Sequence, residues 1–202
     1  MSPPKNDVAW LELFDKYKII EEIKSKGFFE INSSIINTVR QARLMTKFDF
    51  KSQLPKIFSE HELSILPISR GNYVISNFET FHDFEDNECE IEKIHFPNFI
   101  ESIDYNDITS ESTALNCAYV TGIIEDFVQD QSLQPTVNGR MSSKKFDFNI
   151  DSKAGKFGVE VNNAQIEIDG GYEGLESLSL IEAKNSISKD FMIRQLFYPF
   201  KA

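Results

Sequence analysis

Two consecutive extended segments late in the chain constrain its fold more than any other feature. The first runs Gly158-Val-Glu-Val-Asn-Asn-Ala-Gln-Ile-Glu-Ile-Asp169, and Gly170-Gly171 and a short loop follow it. The second runs Leu178-Ser-Leu-Ile-Glu-Ala-Lys184. Side chains at i and i+2 of a strand share a face. Gln165, Glu167 and Asp169 therefore line one face, and Glu182 and Lys184 project together while Ala183 points away. If the two strands pair, Asp169 sits beside Glu182. Two neighbouring carboxylates repel unless a cation bridges them, and hard oxygen ligands of this kind suit Mg2+. A lysine next to such a site can orient or deprotonate an attacking water.

The acid-x-Lys pattern recurs at Glu22-Ile23-Lys24, Asp49-Phe50-Lys51 and Asp151-Ser152-Lys153, so context has to choose among the copies. Glu22 lies in a strongly helical stretch. Asp49 sits in a polar connection, and Asp151 leads into the turn Ser152-Lys-Ala-Gly155. Only Glu182 combines an apolar strand around it with a carboxylate ending the strand before.

The chain has 202 residues, 41% of them hydrophobic, and 18 phenylalanines, enough for one large or two small domains with real cores. Cys89 and Cys117 form no C-x-x-C pair or Cys/His cluster, which favours a reducing compartment and argues against structural zinc. No apolar run of about 18 residues and no signal leader is found, so a cytoplasmic protein without a membrane span is expected. The net charge of −11 is a poor match for a phosphate polymer. Its distribution softens the conflict: residues 1–138 carry 12 Lys/Arg against 23 Asp/Glu, whereas residues 139–202 carry 9 of each. Arg140, Lys144, Lys145, Lys153 and Lys156 cluster upstream of Asp169.

Helical spacing predicts a helix from about Asp7 to Lys26, stopped by Gly27, then a short extended piece at Phe28–Ile31. A second helix follows from Ser33 or Ser34 to about Met45. A helix, a strand and a helix resemble part of a winged DNA-binding module, although only Arg40 and Arg43 could meet phosphates there. Leu63–Ile68 and Asn72–Ile75 flank Ser69-Arg70-Gly71 as a hairpin with Arg70 at its tip. The acid-rich stretch Glu79–Glu92 reads as a linker or exposed acidic face. A helix capped by Ser110 runs to about Asp130 with Glu111 in its first turn. Lys145–Asp151 and the strand ending at Asp169 form a hairpin, with Asn162-Asn163 as a bulge. A final helix runs from Ser188 to about Phe197 and holds Arg194 and Gln195 near the active strand.

The order helix, three strands with Asp on the second and Glu-x-Lys on the third, then helix, resembles the core of the PD-(D/E)XK nuclease superfamily. Arg43-Leu-Met-Thr-Lys-Phe-Asp49, Ile65-Leu-Pro-Ile-Ser-Arg-Gly71, Gly139-Arg-Met-Ser-Ser143, Gln165-Ile-Glu-Ile-Asp169, Glu182-Ala-Lys-Asn185 and Arg194-Gln-Leu-Phe-Tyr-Pro199 look like a set found in type II restriction endonucleases. The likeness of the core covers about residues 109–200. It implies an α/β (α+β) fold with a mixed sheet. A restriction-endonuclease-like core of helix, three-stranded sheet and helix would occupy residues 101–202, after a smaller α+β accessory region at residues 1–100.

The resemblance further implies a Mg2+-dependent endonuclease hydrolysing double-stranded DNA, with Mn2+ as a substitute and a homodimer as the assembly. Asp169, Glu182 and Lys184 would be catalytic, with metal held by Asp169, Glu182 and the Ala183 carbonyl. Glu111, Gln165, Glu167 and Gln195 would support the site, and Arg70, Arg140, Lys144 and Lys145 would contact DNA. Two departures stand out. Ile168 replaces the proline that names the superfamily, and the usual strand after the last helix is missing, so an N-terminal fragment is expected. Rival readings are a non-catalytic DNA-binding or protein-interaction subunit, and a repair nuclease of the same superfamily.

Overall fold

The computed structural model describes residues 3–85 and 90–202. Helices α1 (Lys5–Tyr17) and α2 (Ile19–Lys26) replace the single expected helix. They part at Lys18, which takes the left-handed conformation with φ 50°. That conformation costs a non-glycine residue about 1–2 kcal/mol. Here it turns Ile19 and Ile23 into the same core as Trp10, Leu13 and Phe14. Gly27, at φ 85°, closes α2 through its N–H to the Ile23 carbonyl at 2.8 Å.

Strand β1 (Phe29–Asn32) leads to α3 (Ser33–Ile36) and α4 (Ala42–Met45), two short helices where one was expected. The cap is Asn32 rather than a serine: its Oδ1 accepts the Ser34 N–H at 2.8 Å. Asn37 interrupts the run because its Oδ1 takes the Ala42 N–H at 2.8 Å, so a side chain competes with the helical ladder. A 3-10 turn at Lys51–Gln53 and α5 (Lys56–Glu60) precede the hairpin of β2 (Ser64–Ser69) and β3 (Asn72–Ser76), which is present as expected with Gly71 at φ 87°.

Strand β4 (Phe81–Asp83) begins inside the acid-rich stretch; the rest of that stretch includes residues 86–89, outside the described residues. The expected helix 110–130 is two helices, α6 (Glu111–Val120) and α7 (Ile123–Val128), parted at Gly122 with φ 77°. Ser110 caps α6 as expected, its Oγ accepting the Thr113 N–H at 3.0 Å. Strands β5 (Gln134–Ser142), β6 (Phe146–Ser152), β7 (Gly155–Val161), β8 (Gln165–Glu173), β9 (Leu178–Ile181) and β10 (Asp190–Met192) lead to α8 (Arg194–Lys201). Among the described residues no helix is long and apolar enough to cross a membrane.

Two corrections concern the candidate core. The long strand 158–169 is not one strand with a bulge. It breaks at Asn162-Asn163, with Asn163 at φ 57°, into β7 and β8, which join different sheets. β6 and β7 form their own two-stranded sheet, whereas β8 lies between β5 and β9. Further on, Asp190–Met192 is a strand rather than the start of a helix. Tertiary contacts override the local signal there: the Asp190 carboxylate accepts the Lys51 N–H at 2.7 Å, and the buried Met192 donates its N–H to the Asp49 carbonyl at 2.9 Å.

The mixed α/β chain divides into two compact units that interleave in sequence. The first is Met1–Asp83, Ser142–Gln165 and Asp190–Ala202; the second is Phe84–Met141 and Ile166–Lys189. In the first unit the antiparallel sheet β1-β3-β2 has two buried faces. Ile31, Ile65 and Ile75 face the helical core around Trp10 and Phe58. Leu66 and Val74 face Phe78, Phe148, Ile150 and Phe157, so the β6–β7 hairpin covers the other side. In the second unit α6 and α7 pack Leu115 and Ile124 against Tyr172 and Leu133.

Candidate functional site

The second unit contains the two carboxylates and the lysine that the sequence singles out. β8 and β9 pair antiparallel, with Gly170 opposite Ile181 and Gly171 opposite Leu180. Continuing that register by one residue sets Asp169 across from Glu182. β9 itself ends at Ile181, so Glu182-Ala183-Lys184 lies just past the strand. Asp169 Oδ2 accepts the Ala183 N–H at 3.0 Å, which ties the two segments where the ladder stops. Lys184 Nζ donates to Glu182 Oε1 at 2.5 Å, so these side chains do project together. The pair is mostly shielded, with side-chain exposures of 22% for Lys184 and 14% for Glu182.

Close packing fixes the backbone next to Asp169. A Cβ on Gly171 would lie 2.9 Å from both Cβ and the carbonyl oxygen of Val137, and one on Gly170 would meet Tyr172 at 2.7 Å and Leu115 at 3.2 Å. Only glycine at 171 lets the β5 backbone approach β8 so closely. Gly170, Tyr172, Ile181 and Ala183 face α6, and Asp169 and Glu182 take the alternate positions. Glu111, half-buried, sits one turn before Leu115 on that helix, and so belongs to the face opposite the carboxylates.

A further acid holds the hairpin and was missed in the sequence. Asp130 is 7% exposed. Its carboxylate accepts the N–H groups of Leu175 (3.1 Å), Glu176 (3.1 Å) and Ser177 (2.9 Å) and the Ser177 hydroxyl (3.0 Å), in the turn joining β8 to β9. No local signal marks it, because its partners lie 45 to 47 residues away. Burial by itself raises the carboxyl, but the hydrogen bonds from Glu176, Ser177 and Leu175 together hold it below its ordinary value of 3.8. A lowered folded value means that the carboxylate contributes stability above about pH 3.8, and that this is lost as the pH falls through the lower folded value. Asp130→Asn is therefore expected to be less stable than wild type at about pH 6, with the gap closing towards about pH 3; urea midpoints across that range check it.

The remaining candidates are placed as follows. Arg140 Nε donates to Glu167 Oε1 at 3.0 Å across β5 and β8. Lys145 pairs with Glu160 at 2.9 Å, and Lys153 pairs with Glu62. Much of the expected basic cluster is thus engaged with acids in the free chain. Lys144 is exposed, as is Arg70 in the β2–β3 turn. Gln165 is exposed at the start of β8 and groups with the first unit. Gln195 also belongs to the first unit, on α8, where its Nε2 donates to Asp49 Oδ1 at 3.0 Å.

Residues 76–202 match a family described as a domain of unknown function, DUF6997. The chain belongs to the DUF6997 family. Residues 7–75 match a second domain of unknown function, DUF6996. No curated protein and no solved structure matches the chain. The DUF6997 segment holds Asp169, Glu182, Lys184 and the Asp130 turn, whereas Arg70 falls in the DUF6996 segment.

Asp169 and Glu182 carry hard carboxylate oxygens, the donor type a divalent cation takes. Each carboxylate carries about four lone-pair positions, so one hydrogen bond does not exhaust it. The backbone carbonyl of Ala183 would have to supply a third hard oxygen. The donor set is lean, because among the described residues no three His, Cys, Asp or Glu side chains come together.

Proposed function

We propose that this chain is a Mg2+-dependent endonuclease that hydrolyses DNA phosphodiester bonds, of the restriction-enzyme kind. The observation that carries the reading is the end of the β8–β9 hairpin. There Asp169 is hydrogen-bonded to the Ala183 backbone, and Glu182 is bonded to Lys184 beside it. The element order supports it in part: α6 and α7 precede β5, β8 and β9 of one sheet, with the aspartate on the second strand and Glu-x-Lys after the third, but β5 stands where Lys145–Asp151 was expected, and the closing helix α8 groups with the first unit. The β6–β7 hairpin then reads as an insertion between the first and second of these strands.

Asp169, Glu182 and the Ala183 carbonyl would hold Mg2+, with Mn2+ as a substitute. When bound, the ion lowers the pKa of a coordinated water and offsets charge developing on phosphate. The Ala183 N–H fixes the rotamer of Asp169, and the ammonium of Lys184 holds a water or phosphate oxygen near Glu182. Arg70 and Lys144 are exposed cations that DNA can meet, and Arg140 and Lys145 would exchange their acidic partners for phosphates. Cutting both strands of a palindrome favours a homodimer.

A non-catalytic DNA-binding or assembly subunit is the second reading. One observation favours it: the donor set is lean, and Lys184 already neutralises one of its two carboxylates. Calorimetric titration of Mg2+ and Mn2+ into the chain and into Glu182→Ala, followed by plasmid cleavage with and without EDTA, separates the two. The nuclease reading expects binding that the variant weakens at least about tenfold, and cleavage that EDTA stops. DNA binding without metal and without cleavage identifies the second reading.

A further inference from the structure

The first unit holds a cleft of about 460 Å3 where α5, the start of β2 and the segment leading into β4 meet. That volume falls within the range of about 300–1,000 Å3 common to small-molecule sites. Phe58, Leu63 and Phe78, all buried, form part of its wall, and the half-buried Leu54 and Phe81 extend it. Aromatic rings favour a flat guest that can lie against them.

A buried polar pair belongs to the same wall. Ser64 and Thr80, each 3% exposed, both line the cleft, and their hydroxyl oxygens lie 2.6 Å apart. Each hydroxyl carries one proton, and the bond between them uses only one of the two. Neither hydroxyl bonds any other group among the described residues, so whichever of them donates, one buried O–H is left without an acceptor. A buried donor without a partner costs free energy that an acceptor atom on a guest recovers. Rotation about the carbon–oxygen bond lets that proton turn towards the cleft.

The charges among the lining residues narrow the class of guest. Lys51 is committed to Asp83, its Nζ donating to Oδ1 at 2.5 Å, and Glu62 is committed to Lys153. Glu79 adds an exposed carboxylate. An anion would meet that carboxylate with Lys51 already paired, whereas a neutral ring, or one that carries an amino group, is not repelled.

From the juxtaposition of the unspent Ser64–Thr80 hydroxyl proton with the aromatic wall and the acidic Glu79, we propose that this cleft binds a neutral heteroaromatic ring of the nucleobase kind. Such a ring has flat apolar faces, a ring-nitrogen or carbonyl acceptor on its edge and no negative charge. It belongs either to a free small molecule or to an unpaired base of a nucleic acid. The cleft lies wholly in the first unit and does not rest on the metal-dependent reading of Asp169 and Glu182.

The test uses the full chain in EDTA, so that binding through a metal does not contribute. Adenine, which carries ring-nitrogen acceptors, and indole, a bicycle of similar size without one, are titrated by calorimetry into wild type, the double variant Ser64→Ala/Thr80→Val and Ser59→Phe. Removing both hydroxyls together leaves no orphaned partner, so the double variant should keep its fold, which its urea midpoint checks. It is expected to weaken adenine about tenfold, the loss of one hydrogen bond, with little change for indole. Ser59 is an exposed residue of the wall, so Ser59→Phe stays folded even if the double variant does not, and its ring should obstruct both probes. A labelled single-stranded oligonucleotide, followed by fluorescence anisotropy, separates the sources. A parallel fall in its affinity in Ser59→Phe supports the proposal with an unpaired base as the ring. Weaker adenine binding with unchanged oligonucleotide affinity supports it with a free small molecule instead. Adenine and indole weakened alike by the double variant, equal adenine affinity in all three proteins, or no adenine binding to wild type overturns it.

Discussion

On the proposed nuclease reading, Lys184→Ala is expected to lower Mg2+-supported plasmid cleavage by about 100-fold to 10,000-fold while leaving the chain folded. Lys184 Nζ lies 2.5 Å from Glu182 Oε1, and the two side chains are mostly shielded from water. In such surroundings a fixed ammonium acts on the reacting oxygen more strongly than a solvated one. The cost to stability is small by comparison. A partly exposed ion pair contributes about 0–1 kcal/mol after screening, so circular dichroism and the urea midpoint should change little. On the same reading Asp169→Ala should abolish cleavage for a different reason, the loss of the metal ligand that the proposal assigns to it and of the bond to the Ala183 N–H. Cleavage near the wild-type rate in either variant refutes these roles. Lys184→Arg sharpens the test. It preserves charge but replaces a point donor with a planar fork, and should stay far below wild type if the ammonium positions an oxygen, whereas a purely structural pair would tolerate it.

Phe58→Ala is expected to destabilise the first unit by about 3–5 kcal/mol. Phe58 is fully buried, and its ring meets Trp10 at 4.8 Å, Phe14 at 5.3 Å and Phe48 at 6.1 Å between centroids. Removing it deletes apolar burial, three aromatic contacts and a volume that the backbone cannot fill, because α1 and α5 are tied elsewhere. The Lys56 N–H is held by Asp7, and the Trp10 indole donates to the Met45 carbonyl at 3.0 Å. Trp10 is the only tryptophan of the chain, so its fluorescence during urea unfolding reports on this core directly. The midpoint should fall sharply in the variant. A two-unit chain need not unfold in one step, and far-ultraviolet circular dichroism on the same samples separates this core from the rest. A change below about 1 kcal/mol would mean that the aromatic cluster is not a single packed core.

The β8–β9 pairing was legible because two local signals agree: Ile166 and Ile168 alternate with Gln165, Glu167 and Asp169, and a second apolar run returns. The end of the strand was not: β8 runs past Asp169 to Glu173, and Gly170 and Gly171 pair inside the ladder instead of following it. Gly27, Ser110 and the turn at Gly71 were legible for the same reason, since a backbone need there selects a residue type. β5 was not legible. Gln134–Ser142 is an outer strand of its sheet, most of its residues are exposed, and no alternation of apolar side chains marks it. Its neighbour β8 meets Val137 through Gly171 rather than through an apolar side chain. The breaks at Lys18 and Asn163 were hidden too, because only the direction of the following element requires a left-handed residue at either point.

Short-range chemistry in the chain by itself determined which residues would bring carboxylates and an amine together, since the register of a hairpin follows from alternation and turn. Tertiary structure decided what surrounds them. It sent β7 and β8 to different sheets, gave β10 to β4, and assigned Glu167 to Arg140 and Gln195 to Asp49. It also supplied Asp130 from 45 residues away to hold the hairpin turn. Those outcomes depend on contacts between residues far apart in sequence, whose energies exceed the propensities of about 1 kcal/mol or less on which a local reading rests.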